Sequence, residues 1–240
     1  MTIITQYQHF SNINSWLYVK IILGDLMKKT NIFIAILMTL GFTVLTSLIL
    51  AIAYSITRIW SIAYVIGYIV MFIILFKSFK DELKDSVKTF KSDLKNNWRN
   101  MLIITILLTI ALYISNYLII NYVGGLAENE VISRNQLMSS PVVMGIVLVV
   151  LGPIVEEMIY RLPYKRVEKH KLLNYFIYSL LFALAHIAFT NGIKELIYLV
   201  PYMFLSLSIG YSFYKTENIY MSMVVHILNN FINVMVLLFL

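Results

Sequence analysis

The stretch VVMGIVLVVLGPIVEEMIYRL, Val142–Leu162, decides how this chain is read. From Val142 to Val155 it carries no charge, and then Glu156, Glu157 and Arg161 follow in quick succession. Its length and apolarity are those of a membrane-spanning helix, which needs about 20 residues to cross the hydrocarbon core. An ionisable group at that depth costs about 2.5 kcal/mol or more, so three of them require a partner or a function.

The rest of the chain agrees. Its 240 residues are 60% hydrophobic and 13% charged, against about 45–50% and about 25% in soluble domains, and the mean hydropathy is +0.81. Seven stretches read as spans: Asn31–Thr57, Ile59–Phe76, Met101–Leu126, Val142–Leu162, Leu172–Phe189, Ile197–Tyr214 and Ile219–Leu240. The expected fold is an all-α polytopic bundle of about seven spans in one structural domain. Residues 1–140 form its N-terminal part and residues 141–240 its core. The first two spans are parted only around Arg58, where one bent insertion is the alternative.

The net charge of +7 does not point to nucleic acid, because the cations segregate by loop. Only Arg58, Arg134 and Lys194 of the 19 lysines and arginines fall on one side. By the positive-inside rule the N-terminus is cytoplasmic and the C-terminus outside, with membrane lipid as the partner of the basic side. The chain has no cysteine, which removes disulfides, thiol nucleophiles and thiolate metal sites. The polar first fifteen residues lack the pattern of a signal peptide. Within 77–100, Phe79, Leu83, Val87, Phe90, Leu94 and Trp98 recur at helical spacing with lysines between them. This predicts an amphipathic helix lying on the cytoplasmic leaflet. Trp16–Lys29 is a weaker case of the same kind.

Few polar side chains remain inside the spans. The ionisable ones are Glu156, Glu157 and Arg161, His186, and His226, which Asn229, Asn230 and Asn233 join on the last span. Glu157 and Arg161 are four apart and share a helix face, whereas Glu156 sits about 100° round from Glu157. One acid is placed to be neutralised and the other to be free. Each element alone also reads as packing: a buried ion pair, a satisfied histidine, a short His-x-x-x-Asn stripe.

Taken together, Glu156-Glu157-x-x-x-Arg161, Phe182-x-x-x-His186 and His226-x-x-x-Asn230, in order on separate spans, resemble the CPBP family. These are the CAAX-processing and bacteriocin-processing intramembrane proteases, also called Abi proteins. The resemblance covers about Val142–Leu240. It implies an endopeptidase acting on a membrane-associated peptide or protein. In that pattern Glu156 activates water with His186 as its partner, His226 and Asn230 hold the oxyanion, and Glu157 and Arg161 support the site. The chemistry is coherent, since peptide hydrolysis needs a base and donors aimed at the developing charge.

The family is often described as metalloproteases, and Glu156, His186 and His226 would form a zinc set of known type. The His-Glu-x-x-His helix of many zinc peptidases is absent, and a metal would leave few groups for base and oxyanion duty. The preferred reading is a glutamate-dependent reaction without metal or other cofactor. No Gly-x-Ser-x-Gly, intramembrane Asp or Walker loop supports another mechanism. Two other functions compete: a non-catalytic bacteriocin immunity or sensing protein, and a small transporter with a proton relay. The Ile, Asn and Lys content suggests an AT-rich bacterial genome.

Depth along the helices gives a further expectation. Counted from the inner ends, Glu156 lies roughly 9 Å deep and His226 roughly 10 Å, but His186 roughly 21 Å. The fifth helix is therefore expected to begin near Val167 and project into the cytoplasm. The cavity is expected to open on the cytoplasmic side.

Overall fold

The computed structural model describes residues 31–167, 170–187 and 189–239. The Trp16–Lys29 segment lies outside them. Among the described residues every regular element is helical.

Helix α1, Ile32–Thr57, begins on Asn31, whose side chain accepts from the Ile34 amide at 3.0 Å. It ends where Arg58 turns left-handed, at φ 56°. That residue lets the chain reverse within two positions into α2, Trp60–Ser78. The first two spans are thus separate helices.

Helix α3 runs from Lys80 to Tyr122, 43 residues or about 65 Å without interruption. The amphipathic segment is helical, as its spacing predicts, but it is the first half of α3 and not a separate interfacial helix. Lys80–Tyr122 contains no proline or glycine, so nothing bends the chain onto the membrane plane. The segment also has protein partners. Lys165 Nζ donates to Ser86 Oγ at 2.8 Å, Arg166 pairs with Glu82, and Arg166 donates to the Ser78 carbonyl at 3.0 Å. Asn218 Nδ2 lies within 2.7 Å of the Ser86 carbonyl, 3.0 Å of Thr89 Oγ1 and 2.9 Å of an Asp93 oxygen. Phe79, Leu83 and Ser86 are buried by these contacts, while Val87, Leu94 and Trp98 stay exposed.

A short polar helix α4, Glu128–Ser139, leads to α5, Pro141–Lys165. Then follow α6, Lys171–Ala185, a 3-10 segment, Phe189–Tyr198, with Gly192 at φ 75°, α7, Leu199–Thr216, and α8, Ile219–Phe239. Six helices are long and apolar enough to cross a membrane: α1, α2, α3, α5, Gly192–Thr216 and α8. The protein is a multi-pass membrane bundle. The expected fifth span is shorter than the others. Helix α6 has 15 residues, about 22 Å, and starts at Lys171 after a left-handed His170, not near Val167.

Helix α5 is central. From Val155 to Tyr164 every residue except Glu156 is buried. The apolar core around it joins Met71, Leu75, Phe79, Met158, Leu162, Tyr178, Phe182 and Ile219. Contacts distinguish the two ends of the bundle. Lys165, Arg166, Asn218 and the start of α3 meet at one, where Lys171 also pairs with Glu217. At the other, Gln136 of α4 donates to Tyr64 of α2 and Asn129 to Tyr202 of α7.

Candidate active site

The site begins with a missing hydrogen. Pro153 lies inside α5 and has no N–H, and the turn before it, Val147–Leu151, widens to a π turn. The Gly152 amide reaches back five residues to the Val147 carbonyl. The next five-residue partner, for Leu148, would be Pro153, which cannot donate. Asn230 of α8 takes that place, its amide donating to the Leu148 carbonyl at 2.9 Å.

One turn on, the two acids diverge. The Glu157 side chain is fully buried, and Oε2 lies 3.2 Å from Arg161 Nε. The other oxygen, Oε1, accepts from His226 Nδ1 at 3.0 Å. Arg161 is itself fully buried. It donates to Ser206 Oγ at 3.2 Å and to the Tyr178 carbonyl at 3.4 Å. Its guanidinium faces the Tyr178 ring at 4.6 Å and the Phe182 ring at 5.3 Å. This pair ties α5 to α6, α7 and α8 and seats His226.

Glu156 points away from both, into a cavity of about 230 Å³. The Nε2 atoms of His186 and His226 lie 3.9 and 3.8 Å from its Oε2. His186 is the residue that ends α6, so the helix stops at the level of the site. Its Nδ1 lies 2.8 Å from the Phe182 carbonyl, and its ring stacks on Phe182 at 4.2 Å. The four-residue spacing of Phe182 and His186 thus fixes the imidazole twice. A carbonyl only accepts, so Nδ1 of His186 carries the hydrogen, and the Glu157 carboxylate imposes the same on Nδ1 of His226. Both imidazoles turn Nε2 toward Glu156.

The cavity runs from Glu156 along Gly152, Leu148 and Met144 of α5 and along Asn230, Asn233 and Leu237 of α8. Asn129, Ser133 and Gln136 of α4 line its far end. It therefore opens toward α4, away from the Lys165–Arg166 end. This corrects the expected opening at the basic side. Tyr160, Arg161, Leu162 and Tyr164, all buried, close the bundle there with Tyr178 and Phe182.

Several lining residues carry no sequence signal. Tyr64 and Tyr68 of α2 and Tyr202 of α7 are three of 17 tyrosines, and nothing in their spacing marks them. Tyr202 faces the His186 ring at 5.3 Å. At Gly152 an added Cβ would stand 3.1 Å from the Val147 carbonyl oxygen and 3.6 Å from Glu156 Oε1.

Zinc would draw its ligands from Glu156, His186 and His226. In a tetrahedron with bonds of about 2.0 Å the ligand atoms lie about 3.3 Å apart, and the Nε2–Oε2 separations of 3.8 and 3.9 Å are wider. Among the described residues, no group of three His, Cys, Asp or Glu side chains has the geometry of a metal site.

No curated protein and no solved structure matches this chain. The family model described as Type II CAAX prenyl endopeptidase, Rce1-like, matches residues 138–232. That region runs from the end of α4 into α8 and holds all three motifs, so the match falls on the part of the chain whose motifs resemble the CAAX-protease, or CPBP, family.

Proposed function

We propose that the protein is an intramembrane endopeptidase in which Glu156 activates the water that hydrolyses a peptide bond. The observation that carries this reading is the convergence of His186 Nε2 and His226 Nε2 on the one cavity-facing carboxylate.

A water placed between these groups donates one hydrogen bond to Glu156 and one to the Nε2 lone pair of His186. Its oxygen attacks the peptide carbonyl carbon as Glu156 takes the proton. The carbonyl π electrons move to oxygen, and the tetrahedral intermediate carries the negative charge. His226 donates to that oxygen from Nε2. It can do so while Nδ1 also donates only as the imidazolium, for which the Glu157 carboxylate at 3.0 Å is the counter-charge. Asn230 has one amide hydrogen left after its bond to Leu148, and this is the second oxyanion donor. Glu156 then returns the proton to the leaving nitrogen, and the C–N bond breaks. Donors held in a water-poor site are effective because they need no rearrangement as charge develops. The substrate is a peptide or protein segment at the membrane, and the reaction uses no metal.

The test is a digest of membrane-protein peptides from the host cell with the purified protein, new termini being read by mass spectrometry. Glu156→Gln is expected to abolish the cleavages while melting temperature and elution volume stay unchanged. Cleavage retained in Glu156→Gln would refute the mechanism. No cleavage by a folded wild-type protein would favour the immunity or sensing role. Activity is expected to survive complete metal stripping. A loss restored only by zinc would make Glu156, His186 and His226 metal ligands.

A further inference from the structure

We propose that the cavity opens on the extracytoplasmic side of the membrane, and that its substrate is a peptide segment already exposed outside the cytoplasm. The choice of substrate rests on the peptidase reading, but the orientation does not.

Two independent observations meet here. The first is charge. The end of the bundle where Lys165, Arg166 and Lys171 meet Glu82 and Glu217 also carries the lysines of the first half of α3. At the opposite end the connections hold Arg58, Arg134 and Lys194. Cytoplasmic loops carry the excess of Lys and Arg, so the first end is the inner one. The second observation is the shape of the void. From Glu156 it extends along α5 and α8 toward α4, at the cation-poor end. On the inner side the buried layer of Glu157, Arg161, Tyr164, Tyr178 and Phe182 stands between Glu156 and the cytoplasm.

The shortness of α6 makes the opening possible. A helix of 15 residues rises about 22 Å, less than the roughly 30 Å of hydrocarbon. The helix ends at His186, whose Nε2 lies 3.9 Å from Glu156 Oε2. Helix α4 lines the cavity beyond. Its cavity-facing side chains are the amides and hydroxyl of Asn129, Gln136 and Ser133, with the Glu130–Arg134 pair at 2.8 Å beside them. Short neutral donors and acceptors of this kind suit the unpaired N–H and C=O groups of an extended peptide. The deeper walls, Tyr68, Leu148 and Leu237, suit apolar side chains flanking the cut bond. The substrate expected is an extended, apolar stretch of an exported peptide, entering from the outer side with α4 above it.

The absence of cysteine in the chain permits a direct test on the full-length protein in its host membrane. Single cysteines are placed at Ser133 and Val234, which line the cavity, and at Lys88, whose side chain is 72% exposed at the basic end. A charged, membrane-impermeant maleimide is applied to intact cells and to inverted vesicles. Ser133→Cys and Val234→Cys are expected to label at least tenfold more in intact cells, and Lys88→Cys at least tenfold more in inverted vesicles. Labelling of Val234→Cys from the cytoplasmic side, or of Lys88→Cys in intact cells, overturns the proposal. So does protection of Val234→Cys from both sides when it reacts fully after denaturation. Cleavage of an added impermeant peptide library is then compared in right-side-out and inverted vesicles, with Glu156→Gln as control. Cleavage confined to inverted vesicles also overturns the proposal. Cleavage from neither side counts against the peptidase reading, and the labelling alone then decides the orientation.

Discussion

Replacing Arg161 by Met tests whether the buried pair holds the bundle together. Arg161 and Glu157 are both fully buried, 3.2 Å apart, with no water-facing surface to relieve either charge. Removing one partner of such a pair leaves the other charge uncompensated and costs about 3–5 kcal/mol. The two hydrogen bonds to Ser206 and Tyr178 are long, at 3.2 and 3.4 Å, and belong at the lower end of the range of about 0.5–1.5 kcal/mol for such bonds. Methionine keeps most of the volume between the Tyr178 and Phe182 rings, so a large cavity term is not expected. The loss should therefore be about 3–5 kcal/mol, most of it from Glu157, which would keep His226 as a partner at Oε1 but lose the charge facing Oε2. The assay is reversible unfolding in mixed micelles, followed by circular dichroism as the fraction of denaturing detergent rises. The cycle with Glu157→Gln separates charge from shape. The double variant should lose about 1–3 kcal/mol less than the sum of the single losses, as expected for groups in direct contact. A loss under about 1 kcal/mol for Arg161→Met, or strict additivity in the cycle, would refute the reasoning.

Three other substitutions follow from the same geometry. Asn230→Ala removes the donor to Leu148 and the remaining amide hydrogen, and should lower kcat about 10²–10³-fold with KM little changed, measured on whichever peptide the wild type cleaves. Gly152→Ala puts a Cβ 3.1 Å from the Val147 oxygen and 3.6 Å from Glu156 Oε1. It should cost about 1–3 kcal/mol as the turn gives way, with a parallel fall in kcat, and an unchanged melting temperature would contradict this. Asn218→Ala strands the Ser86 carbonyl and Asp93 and should cost about 1–3 kcal/mol. Limited proteolysis should then cut within the first half of α3 well before the rest of the bundle.

Much of the site was legible from spacing alone. The 100° between successive helical residues separates Glu156 from Glu157, and four-residue spacing places Arg161 on Glu157 and His186 on Phe182. These are local relations, fixed by one helix. What escaped was set by more than one element. Hydropathy marks the third apolar run but not that α3 begins at Lys80, although the lack of any proline or glycine from there to Tyr122 was a readable sign of continuity. Residue counting places His186 deeper than Glu156, yet the structure brings His186 Nε2 within 3.9 Å of Glu156 Oε2, because the relative height of α5 and α6 is set by their packing and not by their sequence. The end at which the cavity opens escapes for a related reason: the basic end is closed by side chains from α5 and α6 at once, which no single stretch reveals. The resemblance to the CPBP family implies an oxyanion role for Asn230, but its bond to Leu148 depends on a proline 77 positions earlier in another helix.

The wide turn at Val147–Leu151 acts as a phase shifter. A helix with one extra residue in a single turn is rotated by about 100° beyond that point relative to a regular one. The half before the turn keeps Met144 and Val147 against Leu137. The half after it must present Arg161 to the core and Glu156 to the void at the same time. Deleting a single valine there would leave every side chain of the site in the sequence, yet set the two halves of α5 out of step. The identity of the residues on this helix is therefore only half of what specifies the site; the other half is their number.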